Sequence, residues 1–178
     1  AMSHPFGVGN ARHRFADYEG YVEGTAMPSY WRWTFDRIGV FDEELIRNED
    51  DDLNLRITKH GGRVYVSPTV RYSYWVRNRL DKLFHQYLQY GYWKLSIVRK
   101  HRCLPSIRMF IPTALVTVIS AWILSLIFGW TSGAVFFGTP VVAYTVANVC
   151  VAAMAGWGET VGTVFRLPMV FAVMHIGY

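Results

Sequence analysis

From Met109 to Gly158 the chain carries not one Asp, Glu, Lys or Arg. No other feature limits its fold as tightly. A helix rises about 1.5 Å per residue, so a hydrocarbon core roughly 30 Å thick takes about 20 residues. The uncharged run is long enough for two crossings, over about 107–128 and 133–155. "GWTSG" is the turn between them, and a third apolar stretch begins near Val161 and runs to Tyr178. Glu159 and Arg166 are assigned to the connection before it.

The charge lies ahead of this run. Residues 1–76 hold 9 Lys/Arg against 11 Asp/Glu, and residues 77–108 hold 8 Lys/Arg against Asp81 alone. A basic segment directly before a span reads as cytoplasmic and drawn to anionic head groups. Nucleic acid is the other partner for a basic patch, but the adjacent spans favour membrane lipids. The expected location is the inner (plasma) membrane, multi-pass, with the charged part in the cytoplasm. The chain starts at Ala1 and ends inside "MVFAVMHIGY", so it is expected to be the C-terminal part of a longer protein.

The pattern before the spans mixes helix and strand. "YVEGT" and, after the glycines at 61 and 62, "RVYVSP" and "TVRYSYWV" alternate in the β manner. "WTFDRIG" reads as a short helix stopped by Gly39, and "VFDEEL" as a turn capped by Asp42. Leu53 and Ile57, four apart, set a helix from Asp50 to about His60. Residues 77–105 read as a basic amphipathic interface helix, with Leu80, Phe84, Tyr87, Gly91, Leu95 and Val98 as its apolar stripe. The six histidines are scattered without ligand spacing. Trp31, Trp33, Trp75 and Trp93 read as core or interfacial anchors, or as platforms for sugar rings.

Four acids in a row, Glu49, Asp50, Asp51 and Asp52, open the helix. Three uses stand open. Acids in a first turn complement the helix dipole, each by about 0.3–1 kcal/mol, but one or two suffice and four repel each other. Asp50-x-Asp52 could bind Mg²⁺ or Mn²⁺, yet residues two apart on a helix point about 200° away from each other. A carboxylate crowded by acids has its pKa raised and becomes a stronger general base.

"FDRIGVFDEELIRNEDDDLNLRITKHGGRVYVSP" resembles the second half of the catalytic domain of family 2 glycosyltransferases, which have the GT-A fold. The matching features are Arg32, then Gly39-Val40-Phe41-Asp42-Glu43, Glu49-Asp50, Asp52-Leu53 with Arg56, Gly62 and Pro68. "QYLQY" falls where many of these enzymes carry "Q-x-x-R-W": Gln86 matches, while Gln89 and Tyr90 depart from it. That departure, with "HPFGVGNARHRF" and "QYGYWK", is similar to the succinoglycan-type membrane glucosyltransferases.

The resemblance implies an α/β fold class: the acceptor-side half of a Rossmann-like GT-A domain over 1–76, the interface helix, then transmembrane α-helices over 106–178. It implies an inverting transfer of a hexose, such as glucose, from a nucleotide-diphosphate sugar to a polyprenyl-linked sugar or glycan acceptor. Exopolysaccharide or cell-envelope glycan would be the product. Asp50 would be the general base and Glu49 would position or tune it. Arg32, Asp52, Gln86 and Gln89 would serve substrate binding, with Asp52 and Arg56 also paired along the helix. The divalent cation (Mg²⁺ or Mn²⁺) of such enzymes would have its ligands outside this stretch. The competing class, a non-catalytic membrane partner or lipid-binding module, accounts for residues 77–178 but not for "GVFDEELIRNEDDDLNLR".

Overall fold

A computed structural model describes residues 1–2, 4–8, 11–15, 17–25, 27–103 and 109–178. Short helix α1 (Pro5–Val8) and a 3₁₀ turn at Arg12–Arg14 lead into β1 (Gly20–Val22). Then come α2 (Arg32–Ile38), α3 (Glu49–Lys59), β2 (Val64–Val66) and α4 (Leu80–His101). Three apolar helices close the chain: α5 (Phe110–Ile127), α6 (Thr131–Ala155) and α7 (Val161–Gly177). The chain forms two compact units. One unit holds Met2–Val76 and Tyr92–Cys103; the other holds Ala1, Arg77–Gly91 and Leu104–Tyr178. Helix α4 thus contributes to both.

In the first unit, β1 and β2 pair antiparallel in the register Gly20↔Val66, Tyr21↔Tyr65 and Val22↔Val64. The facing rings of Tyr21 and Tyr65 meet edge-on, 5.3 Å apart. This is the one sheet among the described residues. Leu53 and Ile57 lie buried with Leu45, Val64 and Ile97, as their helical spacing requires. Gly39 caps α2 at φ 90°, and Gly61 follows α3 at φ 81°, a region where a side chain is strained. The strand expected at "TVRYSYWV" does not form. After a turn in which Val70 N–H donates to the Ser67 carbonyl at 3.1 Å, residues 71–77 have no regular structure and are exposed. With no strand beside them, alternation alone does not make a sheet.

In the second unit, α5 and α6 are long and apolar enough to cross a membrane. The expected start of the first span at residue 107 lies outside the described residues, as does the end of the interface helix at 105. Helix α7 is apolar but shorter, and Arg166 sits within it rather than in the preceding connection. Tyr144 and Asn148, one turn apart on α6, meet α7: the Tyr144 hydroxyl lies 2.9 Å from His175 Nδ1 and Asn148 Nδ2 donates to the Pro168 carbonyl at 3.0 Å. Such bonds join helices where apolar surface gives no drive to associate. Glycines allow the α4–α7 approach. A Cβ on Gly91 would collide with the Tyr178 carbonyl, and one on Gly177 would lie 3.0 Å from the Phe84 ring.

The apolar stripe of α4 is displaced from the expected one. Leu83, Tyr87 and Ile97 are buried, while Leu80, Phe84, Leu88, Tyr92 and Leu95 are exposed at steps of three or four. The helix therefore has two apolar faces, one turned into the protein and one outward. Trp31, Trp33 and Trp75 are exposed as well, which removes the core alternative and leaves the interfacial-anchor and sugar-platform ones.

Candidate functional site

The acidic run becomes the first turn of α3, with all four acids inside it. Asn48 precedes them in the left-handed region (φ 61°), which Asn tolerates better than most residues. The first helical bond runs from Asp52 N–H to the Asn48 carbonyl at 3.0 Å. Each helical step turns about 100°, so the four carboxylates point in four directions and meet four surroundings.

Asp52 points inward and its side chain is wholly buried. Its Oδ2 accepts from Arg56 Nε at 2.9 Å; its Oδ1 meets Lys100 Nζ at 2.9 Å and His101 Nε2 at 2.7 Å. Burial alone would raise its pKa. Hydrogen bonds from His101, Lys100 and Arg56 outweigh burial and hold the carboxyl below the usual range. The rest of the Arg56 guanidinium donates to the carbonyls of Ile38 and Val40 at 2.9 and 2.7 Å, tying α3 to the end of α2. Asp51 pairs with Lys94 at 2.7 Å, and Asp42 with Lys100 at 2.6 Å. As placed, Asp52 offers no oxygen to a substrate, so it belongs to the buried ionic cluster and not to a substrate-binding surface.

Asp50 is different. It is half-buried and its Oδ1 accepts only the adjacent Asp51 N–H, at 2.9 Å, among the contacts of its side chain with described residues. No cation lies within ion-pair distance of it or of exposed Glu49 among the described residues. Burial first, then the charges of Asp51 and Glu49, raise the Asp50 pKa. It is the one acid of the four that is both sheltered and unneutralised.

Around it stands a wall that the sequence did not announce. The Tyr30 hydroxyl donates to Asn54 Oδ1 at 2.9 Å. Burial, and next the negative charge of Asp50, push the Tyr30 phenol upward. Tyr30 meets Phe35 and Phe41 edge-on, and the Phe35 and Phe41 rings are tilted to each other, with ring centres 5.6–6.2 Å apart. Asn54 is buried, and its Nδ2 has no hydrogen-bond partner among the described residues. A Cβ on Gly24 would lie 3.1 Å from that nitrogen and 3.5 Å from Asp51 Oδ1, so the glycine permits the close approach.

Of the other expected site residues, Arg32 is the exposed first residue of α2, in the same unit. Gln86 and Gln89 belong to the other unit. There Gln86 Nε2 donates to the Tyr90 hydroxyl at 2.7 Å, and Gln89 faces His85 at 3.3 Å. A divalent cation does not fit Asp50-x-Asp52, because both Asp52 oxygens already serve Arg56, Lys100 and His101. Lys94, Lys100 and His101 were missed as site residues. The signal was present: a basic "RKHR" at 99–102 complements the acids at 49–52, but a membrane surface explains the same charges.

No protein-family profile and no solved structure matches the chain. Two curated proteins are similar to it. The succinoglycan biosynthesis protein ExoA of Rhizobium meliloti (strain 1021) is 28% identical over 127 residues, covering 71% of this chain and 38% of that protein. The dolichyl N-acetyl-alpha-D-glucosaminyl phosphate 3-beta-D-2,3-diacetamido-2,3-dideoxy-beta-D-glucuronosyltransferase of Methanococcus voltae is 33% identical over 61 residues, covering 34% of this chain and 19% of that protein. The chain therefore spans well under half the length of either relative. The resemblance to glycosyltransferases carried by its motifs is matched by these relatives.

Proposed function

We propose that this chain is the base-bearing part of a longer family 2 glycosyltransferase, acting at the cytoplasmic face of the membrane in exopolysaccharide or envelope-glycan synthesis. Residues 2–76 form the acceptor side of a GT-A-type domain, α5 and α6 cross the bilayer, and the outward apolar face of α4 rests in the interface. Donor and any divalent cation are held by parts of the whole protein outside these residues. The donor is a nucleotide-diphosphate hexose; the acceptor is a lipid-linked sugar or glycan.

Asp50 is the general base. As the acceptor oxygen bonds to the anomeric carbon, its proton passes to the Asp50 carboxylate. The bond from that carbon to the donor phosphate breaks, and the nucleoside diphosphate leaves with the electron pair. Attack opposite the leaving group inverts the centre. A raised pKa strengthens Asp50 as a base. Glu49 sustains that shift by its charge. Tyr30 and the rings of Phe35 and Phe41 form the wall beside it, and Arg32 lies on the same unit for substrate contact. Gln86 and Gln89 are assigned to the acceptor's approach from the membrane.

One observation carries this reading: among the acids of the first turn, Asp50 alone is half-buried without a cation among the described residues, while Asp51 and Asp52 are paired. A helix needing only dipole complementation has no use for that contrast. The test is transfer of labelled sugar from UDP-glucose and a panel of other nucleotide sugars into the lipid fraction of membranes holding the whole protein. Asp50→Asn should lower transfer by roughly 10² or more at equal expression. Transfer at the wild-type rate would refute the base assignment.

A further inference from the structure

Apart from Arg56, which lies on α3 itself, the basic side chains that meet the α3 acids come from one place. Lys94, Lys100 and His101 all lie on the second half of α4, and they take Asp51, Asp52 and Asp42. Lys94 and His101 are turned into the protein, while Lys100 keeps 36% of its side chain exposed and reaches in with its Nζ. The His101 side chain is 10% exposed and that of Lys94 20%. Lys59 adds a reverse link from α3, 3.3 Å from the His101 carbonyl. Arg99, beside them in the last turn of α4, is exposed and takes none of these acids. The cations are thus sorted: some hold α3, others face out.

The consequence for α3 is mechanical. Its first turn carries several like charges, and repulsion would fray it. Lys100 bridges Asp42, ahead of the helix, to Asp52, within it. That bridge fixes the turn on which Asp50 sits, and Asp50 itself has no ion-pair partner among the described residues. A displacement of about 1 Å at a reacting group can cost on the order of 10²-fold in rate, so fixing this turn bears on the chemistry.

We propose that Lys100, with His101, is a positioning residue: the second half of α4 is a strap that sets the first turn of α3 and thereby the direction of Asp50. The proposal rests on Asp50 being the base. The outward apolar stripe of α4 gives the strap a further property: the helix that meets the membrane interface also fixes the base.

The test uses the whole purified protein in lipid, with Lys100→Met, Lys100→Arg, Arg99→Met and Asp50→Asn. Hydrogen exchange over residues 49–57 needs no substrate. Lys100→Met should speed exchange of the Asp52–Arg56 amides at least tenfold; Arg99→Met, which removes the same charge from the same turn, should not. With UDP-glucose as donor, Lys100→Met should lower kcat tenfold or more with the donor KM within twofold, and Lys100→Arg should restore at least half the rate. Equal exchange in Lys100→Met and Arg99→Met overturns the proposal, as does a raised KM with kcat intact. If Lys100→Met does not accumulate, Asp42→Asn loosens the same bridge and should show the same exchange and kcat effects. Full transfer by Asp50→Asn would sink the base assignment, and exchange then decides the strap alone. If Asp50→Asn is inactive while Lys100→Met matches wild type, only the strap fails.

Discussion

Replacing Asp52 by Asn tests the ionic cluster that shapes the site. The carboxylate is fully buried and holds three basic side chains: Arg56 at 2.9 Å, Lys100 at 2.9 Å and His101 at 2.7 Å. An amide keeps the volume, removes the charge and presents a donor to groups that are themselves donors. Breaking a buried pair by removing one partner costs about 3–5 kcal/mol. Lys100 keeps Asp42, and Arg56 keeps the carbonyls of Ile38 and Val40, so about 3 kcal/mol, the lower end, is expected. For a unit of this size that corresponds to a fall in Tm of roughly 12–24 °C. Thermal unfolding followed by tryptophan fluorescence, at fixed protein and detergent concentration, measures it; exposed Glu49→Gln is the control, expected within about 0.5 kcal/mol. The pH dependence has a definite sign. The folded pKa of Asp52 lies below its unfolded value, so its contribution is present above the ordinary aspartate range near about 4 and is lost as pH falls through the lower folded value. The Asn variant should lack that acid-side loss. A Tm within about 2 °C of wild type would refute the claim that three basic side chains depend on this carboxylate.

Two further outcomes follow from the geometry. Because Asp50 must be ionised to accept a proton and its pKa is raised by burial and neighbouring acids, kcat/KM should fall on the acid side with a midpoint above the ordinary aspartate value of about 3.9; a pH–rate profile at saturating acceptor checks it, and a midpoint at or below that value counts against the assignment. Gly91→Ala should destabilise the helical unit by about 1–3 kcal/mol through overpacking, because its Cβ meets the Tyr178 carbonyl, whereas Gly162→Ala, with open space around it, should be neutral in the same thermal assay.

What could be read from the sequence was what local spacing encodes. Leu53 and Ile57 announced α3 and its buried side, and Gly39 announced the end of α2. The uncharged run announced helices long enough to cross a bilayer. What could not be read depends on partners far along the chain. Lys94 meets Asp51 across a separation of 43 residues, and His101 meets Asp52 across 49; no periodicity links such positions. A basic helix beside apolar spans has a sufficient explanation in lipid, so its inward cations were hidden by its outward ones. The shifted stripe on α4 has a related cause: with two apolar faces, the pattern does not say which one the protein covers. Residues 71–77 alternate like a strand but have none beside them, and pairing is decided by the partner. Asp50 itself was readable as one of four acids, and the motif resemblance selected it; its lack of a cation was visible only once the other carboxylates had found theirs.

The central claim is that the four acids are not equivalent and that Asp50 does the chemistry. The direct measurement is sugar transfer by the whole protein in membranes, at matched expression, for Glu49→Gln, Asp50→Asn, Asp51→Asn and Asp52→Asn, with the folded fraction of each determined. Asp50→Asn should lose roughly 10² or more per folded molecule, with Glu49→Gln and Asp51→Asn losing less than about tenfold and the Asp52→Asn loss following its folded fraction. Equal small losses at all four positions would contradict the account and leave the acidic run as a complement to the helix dipole.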